Sequence, residues 1–373
     1  MMRTSAPSTS VASATMPPAI RRYVPAPLWK HRLGLADLVI GFMALVGAAV
    51  RVLGAPPNVD DVTYATPAQQ ITLAAWSRGE LALWSSDAFG GTAHLGNMQT
   101  AAWYPLHLVA APFPDLLGSR VYLTVHLVVF AAGLYALGRV MGLRRPAPIA
   151  LALIGLWMGT TVARGVLTVH LPPLAWTPAA LAAVWWLATT ARPVRAAATL
   201  GVLLWCVVVS GHPQSVLMAV SLITVWSVGV AAEHRAWRRT PYAVGAAGAA
   251  AAMAAPLLLA VADATRGAAH TTRDLSALLP AEYNIPPRVL PLWLLGRPFE
   301  SVAAIFTQGS ERVYYVGATT AALAIIGLGV ALRTRRWSLV AVAAFGALAA
   351  TWSVGPRSPT LRVARALIPG FDQ

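Results

Sequence analysis

Charge is scarce in this chain: only 11% of its 373 residues are Asp, Glu, Lys or Arg. A soluble globular protein carries about 25%. Such a composition cannot cover a water-facing surface, which argues against an ordinary soluble domain. Cysteine is nearly absent. Cys206 is the only one, so no intrachain disulfide can form. It lies in an apolar run and reads as a small buried hydrophobe. Acids are few, 13 against 28 Lys and Arg. The chain has no Walker A loop, dinucleotide fingerprint, HExxH helix or CxxC pair. A nucleotide-driven mechanism therefore has no visible support. The net charge of +15 comes without a basic groove of interleaved aromatics, so nucleic acid is not an expected partner.

What is present is apolar sequence: 57% of residues are hydrophobic. Nine runs have roughly the length needed to cross a bilayer. They lie near 35–53, 119–141, 147–163, 173–190, 196–211, 215–232, 241–262, 313–332 and 338–354. The expected fold class is an all-α polytopic membrane protein. Residues 1–34, rich in Ser, Thr, Ala and Pro in their first thirty, read as a disordered cytoplasmic tail. Residues 35–373 read as one transmembrane domain.

Basic clusters orient it. Lys30-His31-Arg32, Arg144-Arg145, Arg192 with Arg195, Arg235 with Arg238-Arg239, and Arg333 with Arg335-Arg336 all fall in gaps between runs. An N-terminus inside places every one in the cytoplasm of a plasma-membrane protein. Two long segments, 54–118 and 263–312, then lie outside the cytoplasm, with short outer turns at 164–171 and 211–214. In the first long loop Thr66 is a candidate cap, Pro67 suits a first helical position and Gly79 suits an end. Ile71, Ala74, Ala75 and Arg78 share neighbouring turns of that helix. The Gly90-Gly91 pair predicts a chain reversal, and Tyr104-Pro105 opens a short interfacial or re-entrant helix. Trp76, Trp84 and Trp103 suit the interface.

The run centres are nearly free of ionisable residues, His126 being the main exception. Ion-coupled transporters need such groups, which weakens a transporter reading. Candidate chemistry therefore moves to the outer face. Asp60 and Asp61 offer a base or a divalent-cation ligand, Mg or Mn; the plainer reading is a solvated pair past a helix end. Adjacent side chains point in different directions, so one of the two is expected to face a site. Gly211-His212-Pro213-Gln214 offers a phosphate or proton contact from His212 and a sugar contact from Gln214; taken alone, a tight polar turn is the plainer reading. Arg164 and His170 offer a phosphate clamp, or ordinary headgroup contact. Glu282-Tyr283-Asn284 is the most site-like stretch of the second loop.

In this order the motifs resemble bacterial YfhO-type membrane proteins of the GT-C glycosyltransferase group. The resemblance rests on Asp60-Asp61, Gly79, Leu83-Trp84, Gly90-Gly91, Asn97, Gln99 and Tyr104-Pro105-Leu106. It continues with the Gly211–Gln214 motif, Tyr315-Val316-Gly317, Gly355, Pro359 and Ile368-Pro369-Gly370-Phe371. Ser85 departs from it, where such proteins often have Asn. Family members continue beyond the Pro-Gly-Phe motif, so this chain is expected to be a shortened or truncated member.

The resemblance implies a GT-C-like fold whose first outer loop carries interfacial helices. It also implies transfer of a sugar from a polyprenyl-phosphate donor to an extracytoplasmic glycan or wall-polymer acceptor. Asp60 or Asp61 would be base or metal ligand. Arg164, His170 and His212 would face phosphate, and Gln99, Tyr104 and Gln214 would contact substrate. A lipid-linked-glycan transporter or flippase, and a non-catalytic subunit of an envelope-assembly complex, are the alternatives.

Overall fold

The computed structural model describes residues 34–55, 59–88, 90–158, 161, 167–266, 318–352, 358–360 and 363. Arg164, the Glu282-Tyr283-Asn284 stretch, the Tyr315-Val316-Gly317 and Ile368–Phe371 motifs, and the expected N-terminal tail before residue 34 lie outside them. The described chain is overwhelmingly helical, and each apolar run found there folds as helix.

The elements in order are α1 (Leu35–Gly54), a π-helical turn (Asp61–Ala65), α2 (Thr66–Ser77), β1 (Trp84–Ser85), β2 (Thr92–Ala93), and 3-10 turns at Met98–Thr100 and Pro105–Val109. Then come α3 (Asp115–Val140), α4 (Ala147–Trp157), α5 (Leu171–Thr189), α6 (Pro193–Val209), α7 (Pro213–His234), α8 (Thr240–Met253), α9 (Ala255–Arg266), α10 (Ala318–Arg333) and α11 (Trp337–Trp352). Among the described residues α3, α5 and α7 are long and apolar enough to cross a membrane. The bent pair α8–α9 makes a fourth if counted as one span. The other apolar helices are shorter, between 10 and 17 residues, counting the Gly41–Gly54 part of α1.

Helix α5 is the post of the bundle. It packs against α3, α6 and α7, and 72% of its apolar window is buried, against 39% for α3 and α7. Small residues make this possible. Ala175, Ala180, Ala182 and Ala183 line its buried faces. Gly133 of α3 sits so close that a Cβ would lie 2.8 Å from the Ala179 backbone nitrogen. In lipid, where apolar burial gives helices little reason to associate, such close backbone approach supplies the packing energy. Trp226 of α7 adds an indole N–H bond to the Leu181 carbonyl at 2.9 Å.

The seventh apolar run is not one straight helix. It breaks at Ala254 into α8 and α9, bent by 66°. Pro256 explains the break: it has no N–H for the Ala252 carbonyl, and its ring crowds the preceding turn. The next carbonyl along, that of Met253, accepts from the Trp103 indole at 3.0 Å. Trp103, read as an interfacial anchor, is thus a splint on the broken helix.

The outer segment also differs locally from expectation. Thr66 is the first residue of α2 and not its cap; its hydroxyl meets the Ser119 hydroxyl at 3.0 Å. The inward face of α2 carries Ala68, Gln69, Thr72 and Ala75, while Ala74 and Arg78 are exposed. The helix ends at Gly79, whose φ of +72° suits glycine. The Gly90-Gly91 reversal holds, and it joins two short antiparallel strands with Trp84 opposite Ala93.

Candidate functional site

The four-residue turn Leu167–His170, which leads into α5, gathers the candidate groups. Thr168 donates its backbone N–H to Asp61 Oδ1 at 3.1 Å. The Val169 carbonyl accepts the His212 backbone N–H at 2.9 Å. His170 Nδ1 lies 3.1 Å from Ser215 Oγ, and its ring stacks on His212 with centroids 4.3 Å apart. Asp61, His170 and His212 come from three separate stretches of sequence and are tied to one short turn.

Local chemistry fixes each part. The π-helical turn feeds Asp61 inward, leaving it 6% exposed, while Asp60 faces out. The expectation that the two acids point differently therefore holds. His212 caps α7, its Nδ1 accepting from the Gln214 backbone N–H at 3.2 Å. Pro213 suits the first helical position because it has no N–H to satisfy there. Gly211 makes the approach possible: a Cβ would stand 2.3 Å from the Val169 carbonyl oxygen.

Burial raises the Asp61 carboxyl above its ordinary pKa. Contact with Thr168 offsets part of that rise, and the neighbouring charge of Asp60 adds to it. A carboxylate with raised pKa is a stronger base, the direction that favours proton abstraction.

A buried polar layer backs the π-helical turn. Asn97 donates to the Tyr64 hydroxyl at 2.7 Å, tying the Met98–Thr100 turn to it. Gln69 Nε2 donates to His107 Nδ1 at 2.8 Å, and Ser119 donates to Gln69 Oε1 at 3.0 Å. Thr72 meets His94 Nε2 at 2.9 Å. His107 stacks on Tyr122 with centroids 5.1 Å apart. Burial pushes His107 down to about 4 and also lowers His94. Both are neutral hydrogen-bonding parts at neutral pH.

The remaining predicted residues separate by role. Gln99 is half-buried beside Asn97, its backbone N–H bonded to Asn97 Oδ1 at 3.1 Å. Gln214 is exposed in the first turn of α7. Tyr104 is wholly buried. Its hydroxyl accepts from Trp176 at 2.6 Å and donates to His126 Nε2 at 2.7 Å; His126 Nδ1 in turn donates to the Tyr122 carbonyl at 2.7 Å. That chain takes the phenol's one donor and one of its acceptor sites, so Tyr104 braces the outer segment against α3 and α5. Among the described residues no three His, Cys, Asp or Glu side chains are grouped to hold a metal ion.

Sequence reading missed Thr168, Ser215 and Tyr64. Thr168 acts through its backbone, which leaves no trace in a sequence. The buried layer had a faint signal in Gln69, His94 and His107, polar residues set among apolar ones.

No family profile, curated protein or solved structure matches the chain.

Proposed function

We propose that the chain is a multi-pass membrane glycosyltransferase that moves a sugar from a polyprenyl-phosphate donor to an extracytoplasmic acceptor. The observation that supports it best is the joining of Asp61, His170 and His212 at one turn beside the end of an apolar bundle. On this reading all nine apolar runs cross the plasma membrane in a GT-C-like arrangement, and the basic gaps face the cytoplasm. The resemblance to YfhO-type proteins belongs to the same proposal.

The chemistry runs as follows. The acceptor hydroxyl gives its proton to the Asp61 carboxylate as its oxygen attacks the anomeric carbon from the face opposite the phosphate. The bond from that carbon to the phosphate oxygen breaks, and the lipid phosphate leaves with the electron pair. The sugar is transferred with inversion. His170 and His212 donate hydrogen bonds to the departing phosphate, with Arg164 as a charged partner. Gln214 and Gln99 contact sugar hydroxyls. Asp60, facing outward, is the candidate for a divalent cation.

The test supplies labelled polyprenyl-phosphate sugars to membranes carrying wild-type, Asp61→Asn or Asp60→Asn protein. Loss of a positioned base lowers the rate by roughly 10²–10⁴-fold, and that loss is expected for Asp61→Asn. Asp60→Asn is expected to retain more activity. A wild-type protein that uses no donor in a broad panel, or Asp61→Asn transferring at the wild-type rate, overturns the proposal.

A further inference from the structure

A second site lies at the far end of α5. This helix has 19 residues, so its ends are roughly 28 Å apart at 1.5 Å per residue. One end carries the Asp61 turn. Beside the other, a cavity of about 110 Å³ opens between the last turns of α5 and α7 and the start of α8. Val184, Leu187, Val230 and Ala243 line it, with Trp237 and Arg239 among its other walls. The walls are apolar and the mouth is cationic.

The charge at that mouth has no ion-pair partner among the described residues. Arg239 Nη2 donates to the Thr190 carbonyl at 3.2 Å, which holds the guanidinium beside the end of α5. That is its only hydrogen bond among the described residues, and a guanidinium has five N–H donors. Arg235 and Arg238 flank it, and both are exposed. The nearby acid is already engaged: Glu233 accepts from Arg336 at 2.8 Å and from the Ser338 hydroxyl at 2.6 Å. Among the described residues no carboxylate forms an ion pair with Arg235, Arg238 or Arg239. Trp237, 54% exposed, supplies an amphipathic ring at the same level.

We propose that this cavity binds an anionic glycerophospholipid, one acyl chain against Val184, Leu187 and Val230 and the phosphate on Arg239. The apolar walls give a free phosphate nothing to occupy, whereas an acyl chain fills them. These arginines, without an ion-pair partner among the described residues, favour a headgroup of net negative charge and disfavour one that carries an ammonium. The α8 N-terminus, which starts at Thr240, adds its positive end to the same place. This site stands apart from the transferase reading and needs only that the bundle be embedded in lipid.

The experiment uses the purified, delipidated full chain in detergent, titrated with phosphatidylglycerol or phosphatidylcholine of the same acyl chains and read by native mass spectrometry. A basic residue near an anionic lipid surface contributes about 1 kcal/mol, equivalent to about fivefold in affinity. Wild-type protein is expected to retain phosphatidylglycerol more tightly than phosphatidylcholine by about fivefold or more. Arg239→Gln is expected to lose most of that preference. Ala243→Phe, which fills the cavity and leaves the charges, is expected to weaken both lipids. Inorganic phosphate in excess is expected not to displace the lipid. Equal retention of the two lipids by the wild type overturns the proposal. So does wild-type retention by both folded variants, or full displacement by inorganic phosphate.

Discussion

Replacing Gly211 with alanine is predicted to pull the two turns of the candidate site apart. Gly211 has a φ of +156°, in a region essentially reserved for glycine and costing other residues about 1–3 kcal/mol. A Cβ there stands 2.3 Å from the Val169 carbonyl oxygen, where ordinary contact begins at 3.4 Å. The opposing atom is backbone, so no rotamer change relieves the clash. The chain must retreat by about 1 Å. That movement opens the His212-to-Val169 hydrogen bond, now 2.9 Å and worth about 1 kcal/mol. The combined destabilisation is about 2–4 kcal/mol.

On the proposed transferase reading, a displacement of this size beside Asp61 lowers the transfer rate by roughly 10²-fold. The assay pairs thermal unfolding in detergent with the sugar-transfer rate. Gly245→Ala in α8 is the control, because an added Cβ there meets nothing within 4 Å. It is expected to match or exceed wild-type stability and to keep its activity. A Gly211→Ala protein with wild-type melting temperature and rate refutes the close-approach argument. Equal losses in both variants refute its specificity.

Three further predictions concern the polar layer and the outer segment. Gln69→Leu strips partners from His107 and Ser119, with an expected loss of about 1–3 kcal/mol, read as earlier melting and faster proteolysis within 59–114. His107 has a pKa pushed from 6.5 to about 4, so the unfolded chain binds its proton first as pH falls; stability is then lost between pH 6.5 and 4 by about 3 kcal/mol, and a wild-type-like acid profile in His107→Gln refutes this. Ser85 is buried and its hydroxyl has no partner among the described residues; Ser85→Ala is expected to be neutral or stabilising by up to about 1 kcal/mol, and a clear drop in melting temperature contradicts that.

Much of the helical layout was legible because apolar run length is read directly from residues. The run at 173–190 became Leu171–Thr189, and the run at 215–232 became Pro213–His234. The break at Ala254 was missed although Pro256 announced it; composition is continuous across it, and only the lost N–H marks the place. The Gly90-Gly91 reversal was read, but strands of two residues are too short for any alternation to show. At the site, the divergence of Asp60 and Asp61 followed from adjacency alone. Which acid turns inward depends on a π-helical turn that sequence does not signal. The meeting of Asp61, His170 and His212 rests on two backbone N–H groups, and backbone groups are identical in every sequence.

That π-helical turn, Asp61–Ala65, holds more residues per turn than the α-helix it enters. Each α-helical residue turns the chain by about 100°. Removing one residue between Asp61 and Ala65 would restore α-helical winding without turning what precedes it: the bond from the Thr66 N–H to the Asp61 carbonyl, which now spans five residues, would span four. Asp61 would keep its inward direction and Asp60 its outward one. The wider turn thus absorbs one residue of chain length: in a chain one residue shorter here, the same carboxylate still looks inward.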